Sequence, residues 1–116
     1  MIKLALKTVT LFAVILALLG SAGKEPVEQW LEEAKALLRS QLGGDPDITT
    51  VAVERVTWPN SALGCPQADR LYSQVLVEGY RVILTVAGRE YSFHGQLNSP
   101  PFYCENPQSP AAIHRQ

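Results

Sequence analysis

The sequence predicts an α+β fold in which one N-terminal amphipathic helix packs on a small antiparallel sheet of about four strands, closed by one disulfide. Apolar residues recur at three- and four-residue steps over residues 24–42, as they do on one face of a helix. Apolar and polar residues alternate in short segments between residues 48 and 94, which is typical of half-buried strands. Cys65 and Cys104 are the only two cysteines. A helix that covers one face of a sheet buries the apolar sides of both elements.

Residues 1–23 have the pattern of a signal peptide. Lys3 and Lys7 give a positively charged start, an uncharged run of Leu, Val, Ile and Ala follows, and residues 20–23 are small. The apolar run is shorter than the roughly 20 residues that a membrane-spanning helix needs. We therefore expect cleavage after Ala22 or Gly23 and a secreted or periplasmic protein. The alternative is an uncleaved segment that acts as an N-terminal anchor, which would be the only contact with a membrane.

Residues 24–105 are predicted to form one small domain, followed by a flexible tail over residues 106–116. A domain of this size buries only about 60–65% of the surface of its unfolded chain, so its core is marginal. A disulfide between Cys65 and Cys104 would stabilise it by roughly 4 kcal/mol in the chain-entropy model. Two cysteines in an exported protein favour such a bond over the alternative of two separate buried thiols. We expect a monomer.

The helix is predicted over residues 24–42. Pro26 suits its first turn, and Glu28 lies near the positive end of the helix dipole. Gly43 and Gly44 end it. One apolar stripe faces the sheet and contains Val27, Trp30, Leu31, Ala34, Leu38 and Leu42.

Four strands are predicted after the helix. They cover residues 48–58, Leu71–Val77, Tyr80–Val86 and a last segment around Tyr91–His94, with a break or bulge at Glu78–Gly79. The apolar side of the first strand changes near Glu54–Arg55, which indicates a bulge or a bend there. A hairpin turn is predicted at Ala87–Arg89. The chain after Gly95 has no period, contains four prolines, and is expected to wrap the sheet as far as Cys104.

The composition argues against several functions. The formal net charge is −1 and there is no basic stripe, so nucleic acid is not an expected partner. His94 and His114 are isolated histidines without the ligand spacing of a metal site. No nucleophile motif and no phosphate-binding loop occurs. We therefore expect no enzyme activity, no cofactor and no metal.

A binding surface remains as the hypothesis. The loop over residues 59–69 is longer than a typical hairpin connection, and long loops are more often functional. Large residues beside a rigid loop supply contact area at low entropic cost. The candidate contact residues are Trp58, Leu63, Gly64, Asp69, Tyr72, Gln74 and Tyr80. The alternatives are that Trp58 and Tyr80 are core residues and that Asp69 is an ordinary surface turn residue. The expected partner is a protein or small ligand outside the cytoplasm.

Several short motifs resemble one family. Leu63-Gly64-Cys65-Pro66, Tyr72-x-Gln74, Gly79-Tyr80 and Tyr91-x-Phe93-His94, closed by Cys104, resemble a set of small exported bacterial proteins of unknown function. The chain departs from that pattern with Phe93 for a Tyr and Gly95 for a Thr. The resemblance implies export and a disulfide-bonded domain, and it implies no activity.

Two weaker resemblances compete with the first. Gln74–Gly79 is similar to the Q-x-V-x-G hairpin of cystatins, which would imply inhibition of papain-like proteases. The motif carries one extra residue here, which would turn every later side chain to the opposite face, and the second, tryptophan-bearing hairpin is missing. The order of elements also resembles PepSY-type domains, which is an analogy of fold alone.

Overall fold

A computed structural model describes residues 26–108. Helix α1 covers Pro26–Leu42. The strands are β1 (Thr49–Trp58), β2 (Val77–Val86), β3 (Arg89–Gln96) and β4 (Phe102–Cys104). Within these residues the α+β prediction is confirmed, with one helix, a four-stranded antiparallel sheet and one disulfide. The predicted signal peptide and residues 109–116 of the predicted tail lie outside the described residues.

The sheet is a simple meander with the strand order β1-β2-β3-β4. Each strand is antiparallel to the one before it. A two-residue turn, Ala87–Gly88, joins β2 to β3, and both residues have positive φ values of 51° and 80°. Such turns match the right-handed twist of the flanking strands. The predicted hairpin turn is therefore confirmed.

Helix α1 packs on one face of the sheet and forms the main core. Its buried residues are Trp30, Ala34 and Leu38, at the helical spacing that the sequence shows. The sheet supplies buried residues from two strands, namely Tyr80, Val82, Leu84, Tyr91 and Phe93. The ring of Trp30 stacks on Tyr80 with their centroids 4.2 Å apart. This aromatic stack fixes where the first half of the helix lies on the sheet.

The other face of the sheet carries a second, smaller core. Alternation along the strands places Trp58, Ser92, His94 and Cys104 on this face, because Ser92 pairs with Cys104 and His94 lies opposite Arg81. All four of these side chains are buried. The predicted Cys65–Cys104 disulfide is present and holds the loop after β1 over them. The domain therefore has three layers: helix, sheet and disulfide-bonded loop.

One predicted strand is wrong. Of the segment Leu71–Val77, only Val77 belongs to a strand, and Leu71, Val75 and Leu76 are exposed. No strand of the sheet lies beside this segment, so its alternating aliphatic residues have no apolar face to join. The fourth strand is instead Phe102–Cys104, in a segment whose sequence shows no period.

Both predicted interruptions of the strands also lie elsewhere. The register of β1 against β2 shifts between Thr50 and Ala52, so Val51 is the bulged residue, and Glu54–Arg55 pair regularly with β2. Glu78 and Gly79 lie inside β2. Gly79 continues the strand, and only glycine fits at this position, because a Cβ atom would overlap the Gly95 carbonyl oxygen and the Trp58 ring.

The chain beyond Cys104 returns to the disulfide-bonded loop. The backbone N–H of Gln108 donates a hydrogen bond to the carbonyl oxygen of Gly64 at 2.8 Å. Gln108 therefore contacts the disulfide-bonded loop, within the segment predicted to be a flexible tail. None of the helices within residues 26–108 has the length and apolar character to cross a membrane.

Candidate functional site: the disulfide loop and its connection

Trp58 anchors the loop that follows β1. We call residues 59–66 the disulfide loop. The Trp58 side chain is fully buried, and its Nε1–H donates to the carbonyl oxygen of Gly95 at 3.2 Å. Its ring stacks on the imidazole of His94 with centroids 4.7 Å apart. Gly64 of the loop packs on the opposite part of the ring so closely that a Cβ atom would overlap it. The indole is thus the floor on which the loop rests.

Hydrogen bonds between residues close in sequence hold the disulfide loop in one compact conformation. The side-chain oxygen of Asn60 accepts from Ala62 N–H at 2.9 Å, and Cys65 N–H donates to the Ala62 carbonyl at 3.0 Å. Leu63 and Gly64 both have positive φ values, 54° and 71°. A leucine in this region is uncommon and persists where neighbouring contacts define the backbone. Those contacts include His94.

His94 links the sheet to the disulfide loop through both ring nitrogens. Its Nδ1 lies 2.7 Å from the carbonyl oxygen of Leu63, and its Nε2 lies 2.8 Å from the hydroxyl of Ser92. A carbonyl oxygen only accepts, so Nδ1 carries the proton and donates, while Nε2 accepts from the Ser92 hydroxyl. Burial lowers the pKa of His94, which keeps the ring neutral in this arrangement.

The Ser92–His94 pair resembles, in its hydrogen bonding alone, the hydroxyl–imidazole pairs of nucleophilic catalysis. Its position opposes that use. Ser92 is 6% exposed and His94 is fully buried, beneath the disulfide loop. A substrate would have no access to the hydroxyl in this structure. The pair is therefore suited to holding the loop carbonyl in place.

The chain between the disulfide loop and β2 is fixed to that loop. We call residues 67–76 the connection. Ser61 and Ser73 exchange two hydrogen bonds, one from Ser61 N–H to the Ser73 carbonyl at 3.0 Å and one from Ser73 N–H to the Ser61 hydroxyl at 2.9 Å. The Tyr72 hydroxyl accepts from Gln67 N–H at 2.9 Å. These bonds and the disulfide brace an irregular segment that no strand supports.

Three aliphatic side chains of the connection face solvent. We call Leu71, Val75 and Leu76 the aliphatic trio; their relative exposures are 102%, 59% and 71%. Isolated exposed apolar residues are ordinary on protein surfaces, but several on one braced segment mark a candidate contact surface. Their exposure is not evident from the sequence, because the alternation of this segment predicts a half-buried strand.

The structure separates the predicted contact residues into two groups. Trp58, Gly64 and Tyr80 are buried, so their predicted role as direct contacts needs correction: they support the loop and the core from beneath. Leu63 and Tyr72 are half-buried, and Asp69 and Gln74 are exposed. Large residues near loops serve the core as often as a surface, and sequence alone does not separate the two uses. The spacing Ser92-x-His94, which places both side chains on one face of a strand, is the signal that could have revealed their pairing.

Other site chemistry is limited in the described part of the chain. Within residues 26–108, no group of three or more His, Cys, Asp or Glu side chains is placed to hold a metal ion. The segment Gln74–Gly79 runs from the connection directly into β2. Its last three residues, 77–79, pair with residues 56–58 of β1, so the cystatin-like motif does not form a tight hairpin tip.

Comparison with known families adds one finding. The profile of a domain of unknown function, DUF8738, matches residues 31–104. The chain belongs to the DUF8738 family. The matched region runs from the first half of α1 to Cys104 and includes both cysteines. It confirms an uncharacterised family, while the motif-level resemblance and the likenesses to cystatins and PepSY domains stay predictions. No curated protein and no solved structure matches the chain.

Proposed function

We propose that this DUF8738 domain is an exported, monomeric, non-catalytic binding module that contacts a protein partner through the aliphatic trio. The observation that carries the proposal is the exposure of Leu71, Val75 and Leu76 on a segment held by the disulfide loop. The proposed contact surface therefore lies in the connection, later in the chain than the surface predicted around residues 58–69. Asp69 and Gln74 are its exposed polar neighbours.

The trio offers enough apolar surface to matter in binding. Burying one Leu or Val side chain contributes about 1.5–3 kcal/mol, so a partner that covers all three gains several kcal/mol. The gain counts only if binding does not also have to order the segment. The paired bonds of Ser61 and Ser73, and the bond between Gln67 and Tyr72, have already ordered it.

The disulfide supports a location outside the cytoplasm. Disulfides persist in oxidising compartments and are rare in the cytosol. Cys65 and Cys104 are bonded, and no free cysteine occurs in the chain. This agrees with the signal-peptide pattern of residues 1–23, and export is therefore part of the proposal.

Two observations favour binding over the alternatives. The buried position of Ser92 and His94 gives them no access to a substrate, which supports a non-catalytic role. Cystatin-like inhibition through Gln74–Gly79 would need a tight hairpin tip to insert into a protease cleft, whereas the second half of this segment pairs with β1 inside the sheet. Binding through the aliphatic trio needs neither an accessible hydroxyl group nor a hairpin tip.

A site-specific cross-link tests the proposal. A photoreactive residue at position 74, inside the connection, is expected to capture one dominant partner protein in the exported fraction. The matched control is the same residue at position 41, which replaces another exposed glutamine, on α1. Excess unlabelled protein should compete the cross-link away.

A double variant then assigns the capture to the trio. Leu71→Ser with Leu76→Ser should reduce the cross-link by tenfold or more, because each lost apolar contact weakens binding by about 1 kcal/mol or more. The thermal midpoint should stay nearly unchanged, since both side chains are exposed. Leu37→Ser, at a 41% exposed position of α1, should leave the cross-link intact. Equal capture from positions 41 and 74, or capture that survives the double variant, would contradict the proposal.

A further inference from the structure

A cavity of about 540 Å³ opens on the helix side of the molecule, away from the disulfide loop. The N-terminal half of α1 forms one wall and the β3–β4 turn at residues 97–100 forms the other. Trp30 and Arg55 also line it. Its volume lies within the range of small-molecule pockets, about 300–1,000 Å³.

The two walls are locked to each other. Trp30 at the floor stacks on Tyr80 with an interplanar angle of 6°. The Tyr80 hydroxyl donates to the carbonyl oxygen of Ser99, in the opposite wall, at 2.7 Å. Burial and the nearby carboxylate of Glu33 raise the pKa of Tyr80 to about 12, so the phenol keeps the proton that it donates. The cavity is thus formed before any ligand arrives.

Arg55 brings a cation without an ion-pair partner to this cavity. Its guanidinium carbon lies 5.8 Å from the ring centroid of Trp30, and no carboxylate within residues 26–108 forms an ion pair with it. The contrast is Arg81 on the next strand, which pairs with Glu54. The fork of a free guanidinium binds a carboxylate with two parallel hydrogen bonds. A cation–π contact holds the side chain near the ring.

Glu33 places the opposite charge in the same cavity. Its carboxylate accepts a hydrogen bond from the Gln29 side chain at 3.0 Å and also lines the cavity. Glu33 and Arg55 do not pair with each other. The indole of Trp30 and the side chains of Leu97 and Pro100 provide apolar surface among these polar groups.

We propose that this cavity binds a small zwitterion with an apolar body, of the kind represented by a hydrophobic amino acid or dipeptide. Arg55 holds the carboxylate of the ligand and Glu33 faces its ammonium group. The apolar body lies against Trp30, Leu97 and Pro100. The aliphatic trio does not line this site, although Val75 and Leu76 line a neighbouring cavity that shares residues 97–99 with it. The inference does not depend on the protein partner proposed above.

Three probes of one shape test the two charges separately. L-Phenylalanine carries both charges, its amide lacks the carboxylate, and 3-phenylpropionate lacks the ammonium group. In ¹H–¹⁵N spectra of the purified protein, phenylalanine should cause saturable shifts of the Trp30 indole and Ser99 amide signals, with a dissociation constant on the order of 1 mM or tighter. Both single-charge probes should bind at least about fivefold more weakly, because the amide leaves Arg55 without a carboxylate and 3-phenylpropionate leaves Glu33 without an ammonium group.

Variants then assign each charge to a side chain. Arg55→Gln should weaken phenylalanine binding about tenfold or more and remove the preference over the amide. Glu33→Gln should remove the preference over 3-phenylpropionate. The matched control is Arg89→Gln, because Arg89 also lies over an aromatic ring, 5.2 Å from the Tyr91 centroid, but does not line the cavity.

Two results would overturn the assignment. One is the absence of saturable shifts at Trp30 and Ser99 up to the solubility limit of phenylalanine. The other is binding that Arg55→Gln and Arg89→Gln leave equally strong. An unchanged Trp30–Tyr80 contact in the variant spectra shows that any loss of binding does not come from a disturbed fold.

Discussion

At the scale of single residues, His94 connects three parts of the molecule. Its imidazole donates to the Leu63 carbonyl, accepts from Ser92 and stacks on Trp58. Every one of these contacts suits the neutral ring with its proton on Nδ1. A second proton on Nε2 would displace the Ser92 hydrogen and place a charge in a buried site that also faces Arg81.

Stability should therefore fall in mild acid. Burial, and to a smaller extent Arg81, lower the pKa of His94 below its usual 6.5. The unfolded chain then binds the proton more readily, so the contribution to stability is complete above pH 6.5 and is lost as the pH falls below that value. One such proton changes the free energy of unfolding by at most about 1.4 kcal/mol per pH unit. Urea unfolding between about pH 7.5 and about pH 5 measures it, in a range above the usual pKa values of Asp and Glu.

The control for this prediction is His94→Gln. That variant is less stable at neutral pH because the amide does not reproduce both hydrogen bonds and the stack. Its free energy of unfolding should nevertheless change less between the two pH values than that of the unaltered protein. Parallel pH profiles for the two proteins would show that His94 is not the responsible group.

Gly64 should tolerate no side chain. Its φ of 71° disfavours L-residues, and a Cβ atom there would overlap the buried ring of Trp58. Gly64→Ala is expected to destabilise the domain by about 2–4 kcal/mol, from overpacking plus backbone strain. Gly88→Ala is the matched control, since Gly88 has a φ of 80° but open space around it. Its cost should be about 1 kcal/mol, from the backbone alone. Thermal unfolding compares them, and equal costs would show that the Trp58 contact is unimportant.

At the scale of elements, sequence periodicity predicted the long, regular helix and strands. It predicted α1 and most of β1, β2 and β3, because each buries one face over several turns or residue pairs. It failed for the connection, where Leu71, Val75 and Leu76 are the residue types of a strand but face solvent. Residue type reports a preference for burial, and only the packed structure shows whether that preference is met. The three-residue β4 lies among prolines and is too short to show a period.

The disulfide loop depends on its covalent bond. Cys65 and Cys104 are 39 positions apart, and closing a chain loop of that length stabilises a protein by up to about 4 kcal/mol. Replacing both cysteines by serine should lower the free energy of unfolding by about 2–4 kcal/mol. Denaturant unfolding measures the loss, and the unaltered protein in reductant should match the variant. A change below about 1 kcal/mol would mean that the hydrogen bond of His94 to Leu63 and the packing of Gly64 on Trp58 hold the loop without the disulfide.

At the scale of the whole molecule, the sheet separates two cores, and sequence analysis predicted only one. The α+β class and the disulfide follow from the chain itself. The second core does not, because β3 is buried from Tyr91 through Gly95 on both faces. Its polar residues, Ser92 and His94, look like the solvent side of an amphipathic strand. Ser92 and His94 form a hydrogen bond with each other, and His94 also donates to the Leu63 carbonyl, which lies in a loop some 30 residues earlier in the chain.

The separation of the two cores gives the molecule two independent optical reporters. The chain has two tryptophans, and they lie on opposite faces of the sheet. Trp30 emits from the floor of the helix-side cavity, beside Tyr80. Trp58 emits from beneath the disulfide loop, beside an imidazole whose protonated form quenches indole fluorescence. A ligand in the cavity would therefore change the emission of Trp30, and a proton on His94 would change the emission of Trp58. Trp30→Phe leaves the emission of Trp58 to report on the disulfide loop alone, without an added dye.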